Sequence, residues 1–196
     1  MRALPKLSLS HGQVLYALTR GQEADEILID QLRYLRQLGV PFDKSELGSG
    51  RGNRISYQFE HLVELGVAVF ALRRGLKPRE VAEYLTKHKG ELRKKYRKAF
   101  RDQPEGALTN DWVKSRGRIV PGLANECFLR LHDQYANTPG KLEFIGPDKA
   151  TDRDALFGMA ERYPGEHART LVPLTRLVLE LVAWALEAPP TRPGRH

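Results

Sequence analysis

The chain has 196 residues, a formal net charge of +8, 41% hydrophobic residues and one cysteine. This composition predicts one or two folded domains and excludes a wholly disordered chain. A single cysteine excludes an internal disulfide and a CxxC zinc site. The apolar run at 177–186 contains Glu180 and is too short to cross a bilayer. The N-terminal sequence lacks the apolar segment and cleavage site of a signal peptide. We therefore expect a cytoplasmic protein that makes no membrane contact.

The positive charge is distributed unevenly along the chain. Residues 1–100 contain 19 Lys and Arg residues against 11 Asp and Glu, whereas residues 101–196 contain 13 of each. A basic excess confined to one half is typical of proteins that bind phosphate backbones, because each neutralised phosphate releases counterions. A basic surface also keeps a protein soluble. Charge alone leaves both interpretations open.

The first predicted elements are two short helices joined by a glycine-containing turn. Residues 10–18 begin with Ser10, a favourable N-cap. Residues 25–38 form the second helix, which Gly39 and Pro41 terminate. Its apolar face consists of leucines spaced by four and three residues: Leu28, Leu32 and Leu35. Two short helices joined in this way are compatible with a helix-turn-helix.

Residues 42–59 contain three closely spaced glycines between short segments that can extend. This pattern predicts a β-hairpin with a glycine-rich tip, the "wing" of a winged helix-turn-helix. The glycines lack the GxxxxGK[ST] spacing of a nucleotide-binding loop, so that interpretation is disfavoured.

Two further helices are predicted before a boundary at residues 103–104. Residues 58–74 form an apolar helix that stops before Gly75. Residues 76–100 begin a fourth helix, with Pro78 in its first turn, where a missing N–H costs nothing. The basic run at 87–100 is either a second phosphate contact or the solvated face of a dimer helix. A solvated face is the more common case.

The second half of the chain is less periodic. Residues 127–147 predict two strands around a turn at 137–140, and residues 151–163 predict a helix. Residues 170–188 form a final helix with Pro173 in its first turn and an apolar stripe wider than a surface helix needs. The expected fold is mainly α, with an N-terminal winged helix-turn-helix followed by an α+β or mainly α region. The expected units are 1–103 for DNA binding, 104–188 for dimerisation or for an effector or partner, and a disordered tail at 189–196.

The sequences "LRYLRQLGV" and "GNRISYQFEHLVELGVAVFALRRGLKPREVAEYL" carry a resemblance to a known family. Over residues 28–85 the chain resembles the DNA-binding domain of MerR-type transcription regulators. That family has a recognition helix of the form LRYYExxGL, a wing ending near R-x-Y, and an apolar helix closing on RxxGfsLeeI. The chain departs from this pattern in the longer spacing from Arg54 to Tyr57, in a turn between the first two helices that is longer by several residues, in an acid at Asp30, and in lacking the cysteines of metal-sensing members.

The resemblance implies which residues contact DNA. Arginine suits this role because its planar fork bonds guanine edges or phosphates, while a tyrosine hydroxyl positions a protein on a phosphate. The alternatives are solvated arginines on the second helix, and core positions for Tyr34 and, more so, Tyr57. The expected DNA-binding residues are Gln31, Arg33, Tyr34, Arg36, Lys44, Arg51, Asn53, Arg54 and Tyr57.

The function that follows is a sequence-specific transcription regulator, associated with the bacterial nucleoid and bound as a homodimer to dyad-symmetric promoter DNA. The last helix, or the helix from Pro78 onward, would form the dimer interface, and residues 104–188 would bind a small-molecule effector or a protein partner. We expect no enzyme activity, cofactor or metal site. A DNA-organising or partition protein with the same winged module is an alternative. A nucleic-acid enzyme is disfavoured, since no clustered acids or activated nucleophile stand out.

Overall fold

The computed structural model describes residues 2–43, 46, 55–103, 127–132, 142–145 and 169–190. This described part is mainly helical, as predicted. Its helices are α1 (His11–Leu18), α2 (Glu26–Gln37), α3 (Phe59–Arg73), α4 (Pro78–Lys87), α5 (Lys89–Arg101) and α6 (Leu174–Glu187). Its strands are β1 (Phe128–His132), β2 (Leu142–Ile145) and β3 (Arg169–Pro173), and they form an antiparallel sheet in the order β2-β1-β3. None of the helices in these ranges combines the length and apolarity needed to cross a membrane.

The ends of α1 and α2 are set by local signals in the sequence. The Ser10 hydroxyl accepts the Gln13 N–H at 3.3 Å, and the Gln13 side chain accepts the Ser10 N–H at 3.0 Å, which completes a capping box. The Asp25 carboxylate caps α2 by accepting the Leu28 N–H at 2.7 Å. Gly39 follows α2 with a φ of +88°, a left-handed conformation that glycine adopts without strain. The predicted bounds of both helices are confirmed.

Helix α3 lies at the centre of the core. Nearly every one of its side chains is buried, so it shows no polar face, as expected of an internal helix. Helices α4, α5 and α6 all pack against it, and α2 packs against α3 and α4. The prediction of an apolar helix ending before Gly75 is confirmed, with Gly75 at a φ of +90°.

The segment predicted as one fourth helix is two helices, α4 and α5. They meet at His88, where φ is −106° and ψ is 12°. A straight helix over residues 78–101 would be about 36 Å long, whereas the break at His88 divides this length into two shorter helices. The break lets α4 pack on α2 and α3 while α5 packs on α3 and α6.

Helix α6 begins later than predicted and packs in the same core as the N-terminal helices. Residues 169–173 pair with β1 as strand β3, and the helix starts at Leu174. As a strand, this segment forms backbone hydrogen bonds with β1. In the first turn of a helix, its N–H groups would have no partner within the helix. The apolar stripe of α6 then lies on α1, α3 and α5. The sequence analysis assigned this stripe to a separate unit and to a dimer interface. In the structure, other helices of the same chain cover it.

Specific side-chain contacts join α6 to the first helix. Arg20, just after α1, forms an ion pair with Glu180. The rings of Tyr16 and Trp184 meet edge to face with centroids 6.0 Å apart. At the other end of α6, the Thr175 hydroxyl accepts the Cys127 N–H at 2.8 Å and ties the helix to the start of β1.

Several predictions fall on residues outside the described ranges. These are the turn at 137–140, the helix at 151–163, most of the wing and the tail from 191 onward. The two predicted strands of residues 127–147 are confirmed as the antiparallel pair β1 and β2, with Phe128 opposite Ile145.

The crossing of α3 and α6 depends on Gly66. A Cβ at this position would overlap Leu181 Cδ1 and lie 3.4 Å from its Cγ. We expect Gly66→Ala to lower the free energy of unfolding by about 1–3 kcal/mol through overpacking, measured by denaturant unfolding. Gly90→Ala is the matched control, because no atom lies within 4 Å of that added Cβ. It should stabilise the protein by about 0.5–1 kcal/mol through helix propensity. Equal effects of both changes would contradict a close helix crossing at Gly66.

Candidate nucleic-acid interface

Helix α2 separates its apolar and polar residues onto opposite faces. Leu28, Leu32 and Leu35 are buried in the core. On the other face, Arg33, Tyr34 and Arg36 are exposed, and 43% of Tyr34 reaches solvent. The core alternative for Tyr34 is therefore wrong. Gln31 is half-buried. The leucines anchor the helix, so its basic side chains are presented outward on a fixed backbone.

The charge of α2 changes sign along its length. Its N-terminal end carries Asp25 and Glu26, whose negative charges interact favourably with the positive end of the helix dipole. Its C-terminal half carries Arg33 and Arg36. A polyanion would be repelled by the first turn and attracted by the last two turns, so the C-terminal half of α2 is the more favourable half for an anion.

Arg33 is held by an acid on its own helix. Its Nη1 donates to Asp30 Oδ1 at 2.7 Å, and both side chains are about two-thirds exposed, at 67% and 69%. Exposed ion pairs three residues apart stabilise a helix by only a few tenths of a kcal/mol. The guanidinium can therefore exchange Asp30 for another acceptor at little cost.

Tyr57 lies in the core, where only 3% of it is exposed. Its ring packs on Phe42 with centroids 4.9 Å apart. Its backbone pairs with Leu9, each N–H donating to the other carbonyl at 2.9 Å. The ring of Tyr57 is thus a core element, as the alternative held, and only its hydroxyl reaches the edge of the cleft described next.

A cleft lies between α1, α2 and Tyr57. Its volume is about 140 Å³, and we call it the Arg36 cleft. The His11 Nδ1 atom lies 3.3 Å from the Tyr57 hydroxyl oxygen at its edge. Polar and apolar side chains line the space: His11, Ile29, Leu32, Arg33, Arg36, Val40, Pro41, Tyr57 and Leu65. The cleft thus gathers two arginines, an imidazole and a phenol around one opening.

The sequence interpretation missed His11. His11 lies between the Ser10 cap and the apolar stripe of α1 and belongs to neither pattern. Its position was nonetheless a signal, because the first residue of a helix sits at the positive end of the dipole, where anions bind. Its neighbour across the cleft, Tyr57, is 46 residues away in the chain, a pairing that local periodicity cannot reveal.

The electrostatics of the Arg36 cleft favour an anion. Partial burial, and then the charge of Arg36, lower the pKa of His11 below its usual value. Burial raises the pKa of Tyr57. At pH 7 the imidazole is neutral and the phenol protonated, so both can form hydrogen bonds while the arginines supply the charge.

The predicted wing residues Lys44, Arg51, Asn53 and Arg54 lie outside the described residues. The ends of this segment are nonetheless anchored. On one side, Asp43 and Glu46 contact α5; on the other, the Ser56 hydroxyl lies 2.9 Å from the Ser8 hydroxyl.

A buried ion cluster anchors the first of these ends to α3 and α5. Lys89 Nζ lies 2.6 Å from Asp43 Oδ1 and 3.5 Å from Glu46 Oε2. Arg93 donates to Glu46 at 3.1 Å, to Glu64 at 3.4 Å and to the Pro41 carbonyl at 3.1 Å. Its members are Asp43, Glu46, His61, Glu64, Lys89 and Arg93.

This cluster changes the interpretation of the basic run at 87–100. The sequence offered a phosphate contact or a solvated face, whereas Lys89 and Arg93 point inward and pair with acids. Lys94 and Lys98 remain exposed. Some of the basic side chains of this run thus stabilise the fold, and the others lie on the surface. No group of three or more His, Cys, Asp or Glu side chains suited to a metal ion occurs within the described ranges.

The two glutamates of the cluster have opposite pKa shifts. Burial opposes the charged form of Glu46, but the Asp43 N–H and the Arg93 guanidinium outweigh it and lower its pKa to about 2. For Glu64, burial dominates over the attraction of Lys89 and Arg93 and raises its pKa to about 7. Its Oε1 atom has no hydrogen-bond partner in the described part of the chain, which fits a carboxyl that carries a proton.

These shifts predict a characteristic pH dependence of stability. Between pH 4.5 and 7 the folded protein holds a proton on Glu64 that the unfolded chain has lost, so stability falls as pH rises through this window. Glu64→Gln imitates the protonated form. The stability of Glu64→Gln relative to that of the wild type should therefore increase between about pH 4.5 and about pH 8. The increase in the free energy of unfolding should be about 2–3 kcal/mol, and thermal melts of both proteins at each pH measure it. A difference that stays constant with pH would show that Glu64 is ionised throughout.

No protein-family model matches the chain, and the comparison with curated proteins found no match.

Proposed function

We propose that the protein is a sequence-specific duplex-DNA-binding regulator built on a winged helix-turn-helix. The observation that carries this proposal is α2, which buries its leucines and turns Arg33, Tyr34 and Arg36 outward beside the Arg36 cleft. Arginines on a rigid helix next to a basic cleft are suited to reading base edges and holding phosphates at once.

The arrangement around α2 supports the winged form of this motif. Helices α1 and α2 are joined by the seven-residue segment 19–25, longer than the usual turn of this motif, and α2 packs on α3. The Leu9–Tyr57 backbone pair brings the segment before α1 against the end of the predicted wing. In this arrangement α2 would enter the major groove with its C-terminal half, and residues 44–54 would follow the adjacent backbone.

The resemblance to MerR-type regulators supplies the remaining parts of the proposal. It implies a homodimer on dyad-symmetric promoter DNA, located at the bacterial nucleoid. The α6 stripe no longer favours a dimer, because it lies on α1, α3 and α5. Residues 104–188 would bind an effector or a protein partner.

Selection of bound duplexes from a random-sequence pool tests this function. The full chain should enrich one motif with two-fold symmetry, as expected of a dimeric regulator. A motif without symmetry would support sequence-specific DNA binding and contradict the homodimer. Duplex binding with no enriched motif would favour a DNA-organising protein, and no retained duplex would overturn the proposal.

A further inference from the structure

The Arg36 cleft has the composition of an oxyanion site. Its polar walls are formed by the guanidinium groups of Arg33 and Arg36, the imidazole of His11 and the hydroxyl of Tyr57. Among the described residues that line it, none is acidic. Hydrogen bonds from guanidinium groups to phosphate are charge-assisted and therefore among the stronger ones in proteins. A volume of about 140 Å³ exceeds that of several waters, so one phosphate group fits.

Each polar wall of the cleft is held in place by its own element. Arg33 and Arg36 project from α2, whose leucines are locked in the core. Tyr57 is fixed by its buried ring and its backbone pair with Leu9. His11 is the first residue of α1, directly after the Ser10 cap, and the helix dipole there adds to the attraction of an anion. A ligand would therefore meet a fixed imidazole and phenol, and two exposed arginines whose helix backbone is fixed.

Arg36 is the group that an anion would find free. It is exposed, and it has no carboxylate partner among the described residues, whereas Arg33 pairs with Asp30. Its charge acts on both His11 and Tyr57. An unneutralised guanidinium beside the paired imidazole and phenol is the centre of the site.

We infer that the Arg36 cleft binds one backbone phosphate of duplex DNA, and that His11 takes up a proton as the phosphate enters. The inference rests on the proposed function and specifies the ligand of one part of its interface. In the free protein the charged groups facing His11 are Arg36 and Arg33 from α2, and the titratable group is Tyr57. Arg36 disfavours an imidazolium, Arg33 adds positive charge to the same cleft, and no acid is present among the described residues that line it. A phosphate charge in the cleft reverses this balance.

Proton uptake makes DNA affinity depend on pH. Because the bound state holds one more proton than the free state, affinity must rise as pH falls through the range where His11 titrates. One linked proton gives at most about a tenfold change per pH unit. A phosphodiester does not titrate in this range, so the dependence belongs to the protein.

The test compares wild type, His11→Gln and His88→Gln at about pH 6, 7 and 8 and constant ionic strength. The probe is a short duplex of mixed sequence, and affinity is measured by fluorescence anisotropy. His88 is the control because it lies between α4 and α5, stacked on Tyr84. Wild type and His88→Gln should bind severalfold tighter at the lower pH, whereas His11→Gln should be weaker and nearly independent of pH. Salt-dependent binding with the same pH profile in His11→Gln would overturn the phosphate cleft and leave the proposed function standing.

A second measurement distinguishes DNA from a free oxyanion. Sulfate, which does not titrate near neutral pH, is added while the His11 imidazole is followed by NMR. Sulfate should raise the pKa of His11, and an unchanged pKa would overturn the cleft as an anion site. If sulfate raises this pKa while no duplex binds at any pH, both DNA assignments fail and the ligand is a free oxyanion.

Discussion

Arg93→Ala is expected to lower the free energy of unfolding by about 3–5 kcal/mol, the largest stability effect of any change considered. Arg93 donates to Glu46, to Glu64 and to the Pro41 carbonyl. Its removal takes the guanidinium donor from all three acceptors, the side chains of Glu46 and Glu64 and the carbonyl before the predicted wing. The loss exceeds that of one hydrogen bond, because the ionised Glu46 carboxylate and the Pro41 carbonyl lose their guanidinium donor together, and Glu64 loses a donor to its Oε2 atom.

Arg97→Ala is the matched control for this prediction. Arg97 lies one turn further along α5, and its Nε donates to Glu60 Oε1 at 2.6 Å. Its side chain is 44% exposed, against 18% for Arg93. Glu60 is only 14% exposed, but solvent screens the half-exposed guanidinium, and such a pair contributes about 1 kcal/mol or less. Denaturant unfolding of both variants gives the comparison, and equally small losses would show that the buried ion cluster does not hold the fold together.

Arg33→Ala is expected to weaken binding to the selected motif by about 1–3 kcal/mol, or roughly tenfold to more than a hundredfold. Binding to a duplex of mixed sequence should change far less if Arg33 reads a guanine. If Arg33 holds a phosphate instead, both duplexes should weaken together. The same measurement thus separates base reading from backbone positioning.

Arg20→Ala is the control for Arg33→Ala. Both arginines are exposed to a similar extent, 64% and 67%, and each pairs with one carboxylate, Glu180 or Asp30. Arg20 pairs with Glu180 of α6 and does not line the Arg36 cleft, so its loss should leave affinity nearly unchanged. Thermal melts of both variants exclude unfolding as the cause. Equal and small effects on affinity would mean that Arg33 is an ordinary solvated residue.

Local signals in the sequence were sufficient to predict the elements that present the candidate interface. Ser10, Asp25 and Gly39 act within one turn of a helix end, and Leu28, Leu32 and Leu35 form a stripe of one period. Such signals involve neighbours in the chain and do not depend on the rest of the fold. The exposure of Arg33 and Arg36 follows from the same stripe.

Features that depend on distant residues were not predictable in this way. Lys89 reaches Asp43 across 46 positions, and Arg93 reaches Glu64 across 29. A run of lysines and arginines looks the same in sequence whether its charges face water or buried acids. The late start of α6 has the same origin, because residues 169–173 follow the edge of β1 rather than their own helical pattern.

Binding of the full chain to a mixed-sequence duplex across a salt series tests DNA recognition most directly. The excess charge within residues 1–100 and the exposed arginines of α2 predict that about six phosphates are neutralised. Affinity should then fall roughly a thousandfold between about 50 and 200 mM salt. Binding that ignores salt, or no binding even at the lowest salt, would contradict a nucleic-acid interface on this protein.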